Sequence, residues 1–240
     1  MDKKIKADYH MHTYRSDGKQ TLEDNIERAI ELGLKTIAIT DHGPFHCKKS
    51  RCTFDYQLVN KYEIRRLQKK YPQIKIMSGI EANLVSLRGD LDITKEQEKA
   101  FDIIVMGQHR SPHGWKFWDN ITWRLRNFFP STKRRREKVT NAYLKAMENH
   151  NIKILAHLNR NIKVNVGPIA KMAAEKGILI ELNGKGVNFT DKEIQTILDA
   201  GANFVISSDA HRKEHVGNPI RVWKFLETHN IPKERIVNME

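Results

Sequence analysis

Seven short apolar runs, each followed by a stretch of helical periodicity, constrain this chain more than any other feature of its sequence. The runs are Ile5–Tyr9, Thr36–Thr40, Ile74–Ile80, Ile103–Gly107, Ile152–Ala156, Leu179–Leu182 and Phe204–Ser207. Most are continuously apolar, as strands buried on both faces should be. Between them, "TLEDNIERAIELGL" opens at Thr21 as a cap, carries Leu22, Ile26, Ala29 and Ile30 as one stripe, and ends at Gly33. "VGPIAKMAAEKG" has Pro168 near its start and Gly177 at its end, and "TDKEIQTILDAG" places a carboxylate three residues after Thr190, a capping-box pattern. "DYQLVNKYEIRRLQKKY", "STKRRREKVTNAYLKAMENH" and "NPIRVWKFLETHN" complete the helical set. With no Pro/Gly/Ser-rich linker, the pattern predicts one α/β domain over 1–240 built on a parallel sheet.

Right-handed crossovers place functional residues just past the carboxyl ends of the strands, whether the sheet stays open or closes. The first end carries His10 and His12, the second Asp41 and His42, the third Glu81, the fourth His109. The fifth carries His157, the sixth Glu181 and Asn183, and the seventh Asp209 and His211. Six of the 11 histidines fall at these ends. Side chains at i and i+2 on a strand point the same way, so the pairs His10/His12 and Asp209/His211 can each reach one ion. One pair sits on the first strand and the other on the last, so a shared site requires those strands to be neighbours, which favours a closed barrel.

With Asp17 there are nine candidate metal ligands: His10, His12, Asp17, His42, Glu81, His109, His157, Asp209 and His211. A tetrahedral ion takes about four protein ligands, or three plus water. Nine therefore suit two or three ions, with a carboxylate such as Glu81 bridging. Mixed imidazole and carboxylate donors suit Zn, Mn or Fe. Asp8 and Asp41, next to ligands in sequence, are expected to orient an imidazole, and Glu181 and Asn183 to support the site.

The net charge of +13 favours anionic partners. Close to half of it lies between Ser111 and Thr140, where eight Lys/Arg face Asp119 and Glu137. This segment also holds Trp115, Trp118, Trp123, Phe117, Phe128 and Phe129, and is long for a βα loop. It reads as a basic, aromatic insertion at about 111–140: a lid, a stacking platform for single-stranded nucleic acid, a phosphate clamp, or a helix packed on the barrel. Cys47 and Cys52, beside His46, read as free thiols rather than a disulfide framework. No apolar run approaches a bilayer span and no apolar leader is seen, so a cytoplasmic protein without membrane attachment is expected. The sequence leaves the oligomeric state open.

The stretches "HMHTYRSDG", "ITDHG", "GIEAN", "GQH", "AHLNR" and "SSDAH" resemble, in order, the motifs of the PHP family, named for polymerase and histidinol phosphatase. The resemblance covers about residues 5 to 215. It implies a distorted seven-stranded (β/α)7 TIM-like barrel, a trinuclear metal centre and phosphoester hydrolysis. By motif position it implies one ion on His10, His12, Glu81 and Asp209, a second on Asp17, His42 and His211, and a third on Glu81, His109 and His157.

The expected activity is a histidinol-phosphatase-like, metal-dependent hydrolysis in which a metal-bound hydroxide attacks phosphorus. Asp209, His211 and Arg160 are the expected catalytic residues. Arg160, Arg110, Lys185 and Arg212 are expected to hold the substrate phosphate. Arg160 stands first, because "AHLNR" resembles the "GHPTGR" pattern of polymerase-associated members. The nucleophile elbow G-x-S-x-G and the phosphate loop G-x-x-x-x-G-K-[ST] are both absent. A phosphorylated small molecule is the first substrate class. The alternatives are a nuclease acting on DNA or RNA ends, whose binding would be steeply salt-dependent, and a metal-stabilised binding module without turnover.

Overall fold

The structure is a computed structural model that describes residues 3–46, 53–109 and 132–240. Cys47, Cys52, Arg110 and most of the basic aromatic insertion lie outside the described residues.

All seven expected strands form: β1 (Ala7–Asp8), β2 (Thr36–Ile39), β3 (Lys75–Asn83), β4 (Ile103–Gly107), β5 (Ile154–Leu155), β6 (Leu179–Asn183) and β7 (Phe204–Ser207). They pair in chain order, every pair parallel. The strands β1 and β5 are shorter than the apolar runs that announce them, because only two residues of each find ladder partners. By contrast β3 is longer, since its first half pairs with β2 and its second half with β4.

The helices cover the outside. Thr21 and Thr190 form reciprocal capping boxes with Asp24 and Glu193, at the starts of Leu22–Glu31 and Asp191–Asp199. Gly177 ends Val166–Lys176 in the left-handed conformation, with φ 63°. Phe54–Lys70, Lys133–Asn149 and Ile220–Leu226 match the remaining periodic stretches. The short helix Lys95–Glu98, capped by Thr94, has too few residues to show a period.

Strand alternation divides the core in two. Ile37, Ile39, Ile80, Ile104, Met106, Ile180, Leu182, Phe204 and Ile206 face outward into the large core beneath the helices. The inner faces make a small cluster of Ala38, Ile103, Val105, Ile154, Ala156 and Val205, with Met77 and Leu179 against it. Two residues on along each strand, the inward column changes character. Met77 leads to Gly79 and Glu81, Val105 to Gly107, Leu179 to Glu181 and Asn183, and Val205 to Ser207 and Asp209. The barrel is thus filled with hydrocarbon below and lined with polar groups at the carboxyl ends.

The strands β1 and β7 share no ladder, so the barrel is nearly rather than fully closed. A parallel bridge joins Met11 to Ala210, and His12 N–H donates to Ala210 O at 2.9 Å. Below it, buried Asn238 fills the gap. Its amide donates to Ala7 O and Ile206 O, both at 2.7 Å, and its Oδ1 accepts the Ile206 N–H at 2.9 Å. The expected proximity of first and last strands is therefore realised through a seam of borrowed hydrogen bonds.

Candidate metal centre

Glu81, fully buried near the end of β3, is the hub of the site. Its Oε2 lies 2.6 Å from His42 Nδ1, 3.4 Å from His10 Nε2 and 3.6 Å from His12 Nε2. Its Oε1 lies 2.8 Å from His157 Nε2 and 3.4 Å from His109 Nε2. The space for this convergence exists because residue 107 is glycine. A Cβ there would stand 2.5 Å from Glu81 Oε1, 2.9 Å from His109 and 3.1 Å from His157.

The second carboxylate is Asp209, just beyond β7. Its Oδ1 is 3.3 Å from His12 Nε2, 3.8 Å from His10 Nε2 and 3.5 Å from His211 Nδ1. The third is Asp17, whose Oδ1 lies 3.0 Å from His211 Nε2 and 3.4 Å from His42 Nε2. Asp17 rides on a tight turn in which the Ser16 and Gly18 N–H groups both donate to Thr13 O. The Asp41 carboxylate anchors that turn from below, accepting from Thr13 N–H, Thr13 Oγ1 and Ser16 Oγ, each at 2.6 Å.

Two of the site residues have backbones that side chains rarely adopt: His157 at φ 34° and Asp209 at φ 52°. Strain of this kind persists where the surroundings over-determine it. The His157 N–H is held by Glu181 Oε2 at 2.8 Å, and Asp209 Oδ2 accepts from Asn183 at 3.1 Å.

The nine expected residues all come together. Donor atoms of eight of them fall into clusters compact enough to hold a cation: His10, His12 and Glu81; Glu81, His109 and His157; and His12, Asp17, His42 and His211. Asp209 is in none of these and stands beside them, 3.3 Å from His12, 3.5 Å from His211 and 3.8 Å from His10. His12 therefore faces two clusters. A fourth cluster joins His42 and His109 to His46, a residue outside the nine. Its sequence signal was weak, because it precedes two cysteines and lies four residues past a strand-end histidine.

The electrostatics match a site built for cations. Burial opposes charge on His10, but Glu181, Glu81 and Asp209 outweigh it and hold the ring well above the usual histidine range. His42, likewise buried, is pushed up to about 10 by Glu81 and Asp17. His12 goes the other way, lowered by burial and by His42 and His211. Burial raises Asp17, Glu81 and Asp209, yet the surrounding histidines bring each below its ordinary value. Meanwhile His10 Nε2 and both His12 nitrogens are buried without a hydrogen-bond partner. Such orphaned polar atoms are costly unless something satisfies them. Imidazole and carboxylate donors facing inward from separate strands are the donor set a divalent cation of the zinc, manganese or iron type requires.

Above the cluster opens a cavity of about 350 Å³, into which Arg160, Asn161 and Lys185 project. Arg160 Nη1 is 3.4 Å from Asp209 Oδ2, and Lys185 Nζ is 3.0 Å from Asp209 Oδ1 and 2.8 Å from His211 Nδ1. Arg212 does not share this cavity; it is exposed and pairs with Glu214 at 3.8 Å. Asn161, which sequence did not single out, is fixed by donating to Gln108 O at 2.6 Å.

Asp8 and Asp41 do not orient imidazoles. Asp8 accepts the backbone N–H groups of Ser208 and Gly217, each at 3.0 Å, and Asp41 holds the Asp17 turn together with Asn60. Both act on backbone and turn geometry; Asp41, two residues past outward-facing Ile39, points away from the inner column. The orienting part falls to Glu181, whose Oε1 lies 2.7 Å from His10 Nδ1, and to Asn83, whose Oδ1 meets His109 Nδ1.

Residues 8–187 match the family model of the PHP domain. A probable phosphatase of Clostridium novyi is 28% identical over 99% of this chain and 91% of its own length. The probable phosphatase YcdX of Escherichia coli K12 is 27% identical over 97% and 89%. Among solved structures, the histidinol phosphate phosphatase of Lactococcus lactis, complexed with zinc, L-histidinol and phosphate, superposes with a TM-score of 0.63 at 19% identity, covering 92% of each chain. A second, from Listeria monocytogenes and described as a histidinol phosphatase, gives 0.58 at 15% identity over 89% of this chain and 98% of its own. No described helix is long and apolar enough to cross a membrane.

Proposed function

Because the chain belongs to the PHP domain family, we propose that it is a metal-dependent phosphatase whose substrate is a small phosphorylated molecule. The observation that carries this reading is the set of orphaned imidazole nitrogens facing Glu81 and Asp209 beneath a cavity with two cationic side chains.

Three cations are proposed. One would sit on His10, His12, Glu81 and Asp209; a second on Asp17, His42 and His211; a third on Glu81, His109 and His157. Bound divalent ions supply Lewis acidity, acidifying water and screening the charge that builds on a phosphoryl group. The residues of the chain do the rest. Arg160 and Lys185 reach into the cavity from the fifth and sixth strand ends and grip the phosphate oxygens through charge-assisted hydrogen bonds. Asp209 and His211 lie on the same wall, 3.0 and 2.8 Å from Lys185 Nζ, and keep that side chain aimed inward. Glu181 fixes the His10 ring so that Nε2 faces Glu81. The cleavage adds water to phosphorus and releases the alcohol, with the water's proton passing to the leaving oxygen.

A cavity of about 350 Å³ is the size of a small-ligand site. Of the solved relatives, the Lactococcus lactis protein holds L-histidinol and phosphate, so histidinol phosphate leads the proposed substrates. A panel of aryl phosphate, histidinol phosphate, mononucleotides and single-stranded oligonucleotides, assayed with zinc, manganese and iron, tests the reading. Hydrolysis of a monoester, abolished by His42→Ala and by Asp209→Ala in folded protein, is expected. Inertness toward every monoester would refute it, and salt-sensitive cleavage of oligonucleotides alone would replace it with the nuclease reading.

A further inference from the structure

Asp92 is fully buried and belongs to none of the sets described above. It lies on the returning arm of a hairpin that follows β3, where Leu84 bridges Leu91 and the Asp92 N–H donates to Asn83 O at 3.1 Å. The partners of its carboxylate are three uncharged N–H groups. The Asn83 backbone donates to Oδ1 at 2.8 Å, while the Asn83 side-chain amide and, at 3.1 Å, the Phe45 backbone donate to Oδ2. The carboxylate packs against the backbone of Gly43, where a Cβ would stand 2.4 Å from both of its oxygens. Burial pushes its carboxyl up to about 6, so at neutral pH it is an anion that only accepts hydrogen bonds. An anion buried among uncharged donors is costly, and the Asn83 amide shows what the charge can do.

We infer that Asp92 is a positioning residue for the metal centre: acting through Asn83, it decides which nitrogen of His109 carries the proton and which is left for a cation. This rests on the reading of the cluster around Glu81 as a cation site. A carboxylate admits only the NH2 end of the Asn83 amide, so the other end, Oδ1, is the one that meets His109 Nδ1. That oxygen accepts from a protonated Nδ1 and repels a lone pair. In the metal-free protein burial holds the His109 ring neutral, well below the usual histidine range. The proton therefore sits on Nδ1 and the lone pair on Nε2, which lies 3.4 Å from Glu81 Oε1. With the charge at residue 92 removed, the Asn83 amide is free to turn over and offer its NH2 to Nδ1. The proton then moves to Nε2, where it blocks the cation.

The test compares wild type, Asp92→Asn and the exchanged pair Asp92→Asn with Asn83→Asp. The exchanged pair puts a carboxylate against His109 Nδ1 and an amide behind it, which restores the order of donors and acceptors. The His109 tautomer is read from imidazole nitrogen NMR shifts of histidine-labelled, metal-free protein, and zinc retention is read separately by chelator competition. Loss of an outer partner of a ligand typically weakens metal binding about 10–100-fold. The expected wild type carries its His109 proton on Nδ1. Asp92→Asn should show Nε2 protonation and hold one zinc ion about 10–100-fold more weakly, and the exchanged pair should regain both properties, which a packing role alone would not allow. A wild-type His109 protonated on Nε2 would overturn the inference without any variant. So would a folded Asp92→Asn protein with unchanged tautomer and zinc retention, or an exchanged pair no better than the single variant. A wild type that binds no zinc, whatever its tautomer, would overturn the proposed function and this inference together.

Discussion

Glu181 grips His10 by the nitrogen that faces away from Glu81: Oε1 is 2.7 Å from Nδ1, while Nε2 points at Glu81 across 3.4 Å. With a cation bound as proposed, Glu181 would fix the His10 tautomer and leave the Nε2 lone pair for the cation beside Glu81. The two oxygens of Glu181 serve three donors, since Oε2 also takes the N–H of His157 and the amide of Asn183, both at 2.8 Å.

Glu181→Gln leaves one acceptor oxygen for those three donors. Metal affinity should fall by about 10–100-fold with the fold retained. Chelator competition on the reconstituted variant measures it; wild-type affinity would show that His10 needs no such partner.

Gly107→Ala puts a methyl group 2.5 Å from Glu81 Oε1. The collision is with the hub rather than with the hydrocarbon core, so the variant should keep its circular dichroism spectrum yet lose bound metal. Full metal content in the alanine variant would count against the convergence on Glu81.

In the metal-free protein, burial opposes a charged His42 but Glu81 and Asp17 raise it to about 10, above its ordinary 6.5. A raised folded value means the stabilisation is complete below about pH 6.5 and is lost as pH climbs toward 10. The melting temperature of metal-free protein should therefore fall between pH 7 and 10. Metal-loaded protein, whose His42 has given up its proton, should lack this slope. Parallel melting curves for the two forms would contradict the assignment.

If Arg160 and Lys185 hold the phosphate as proposed, Arg160→Met and Lys185→Met each remove a charge-assisted hydrogen bond worth about 1.5–3 kcal/mol. This predicts a loss of about 10–100-fold in kcat/KM on a phosphomonoester. Metal content should stay unchanged, which separates substrate grip from metal loading. Arg212→Met, on the exposed pair with Glu214, should leave the kinetics alone.

Asn238→Ala strands the Ile206 N–H and the Ala7 carbonyl at the seam. Buried polar groups left unsatisfied cost about 1–3 kcal/mol each, so urea unfolding should report a loss of about 2–4 kcal/mol. A change under 1 kcal/mol would mean the seam holds by other contacts.

The strand-end histidines and carboxylates were legible because alternation along a parallel strand is rigid: once Ile103 and Val105 face inward, Gly107 must follow, and His109 lies just beyond it. The same rule carried Glu81 and Asp209 into one space from 128 residues apart. What resisted reading were parts set by loops. Asp41 looked like a partner for its neighbour His42, but its strand turns it outward to hold the Thr13–Gly18 turn. His46 sits in a loop whose path no periodicity records. Asn238 lies in an irregular stretch near residue 240, where nothing in composition marks one amide as the bridge between β1 and β7.

That amide has a consequence in time. A chain made from one end to the other releases His10 and His12 early, and Asp209 and His211 nearly two hundred residues later. Asn238 emerges later still. Every proposed metal donor is thus available to bind cations before the residue that locks the first strand against the last. A cation captured by the open seam can draw its two edges together and hold them until the lock arrives. On the proposed ligand assignment, the order of synthesis would let a cation take part in closing the barrel.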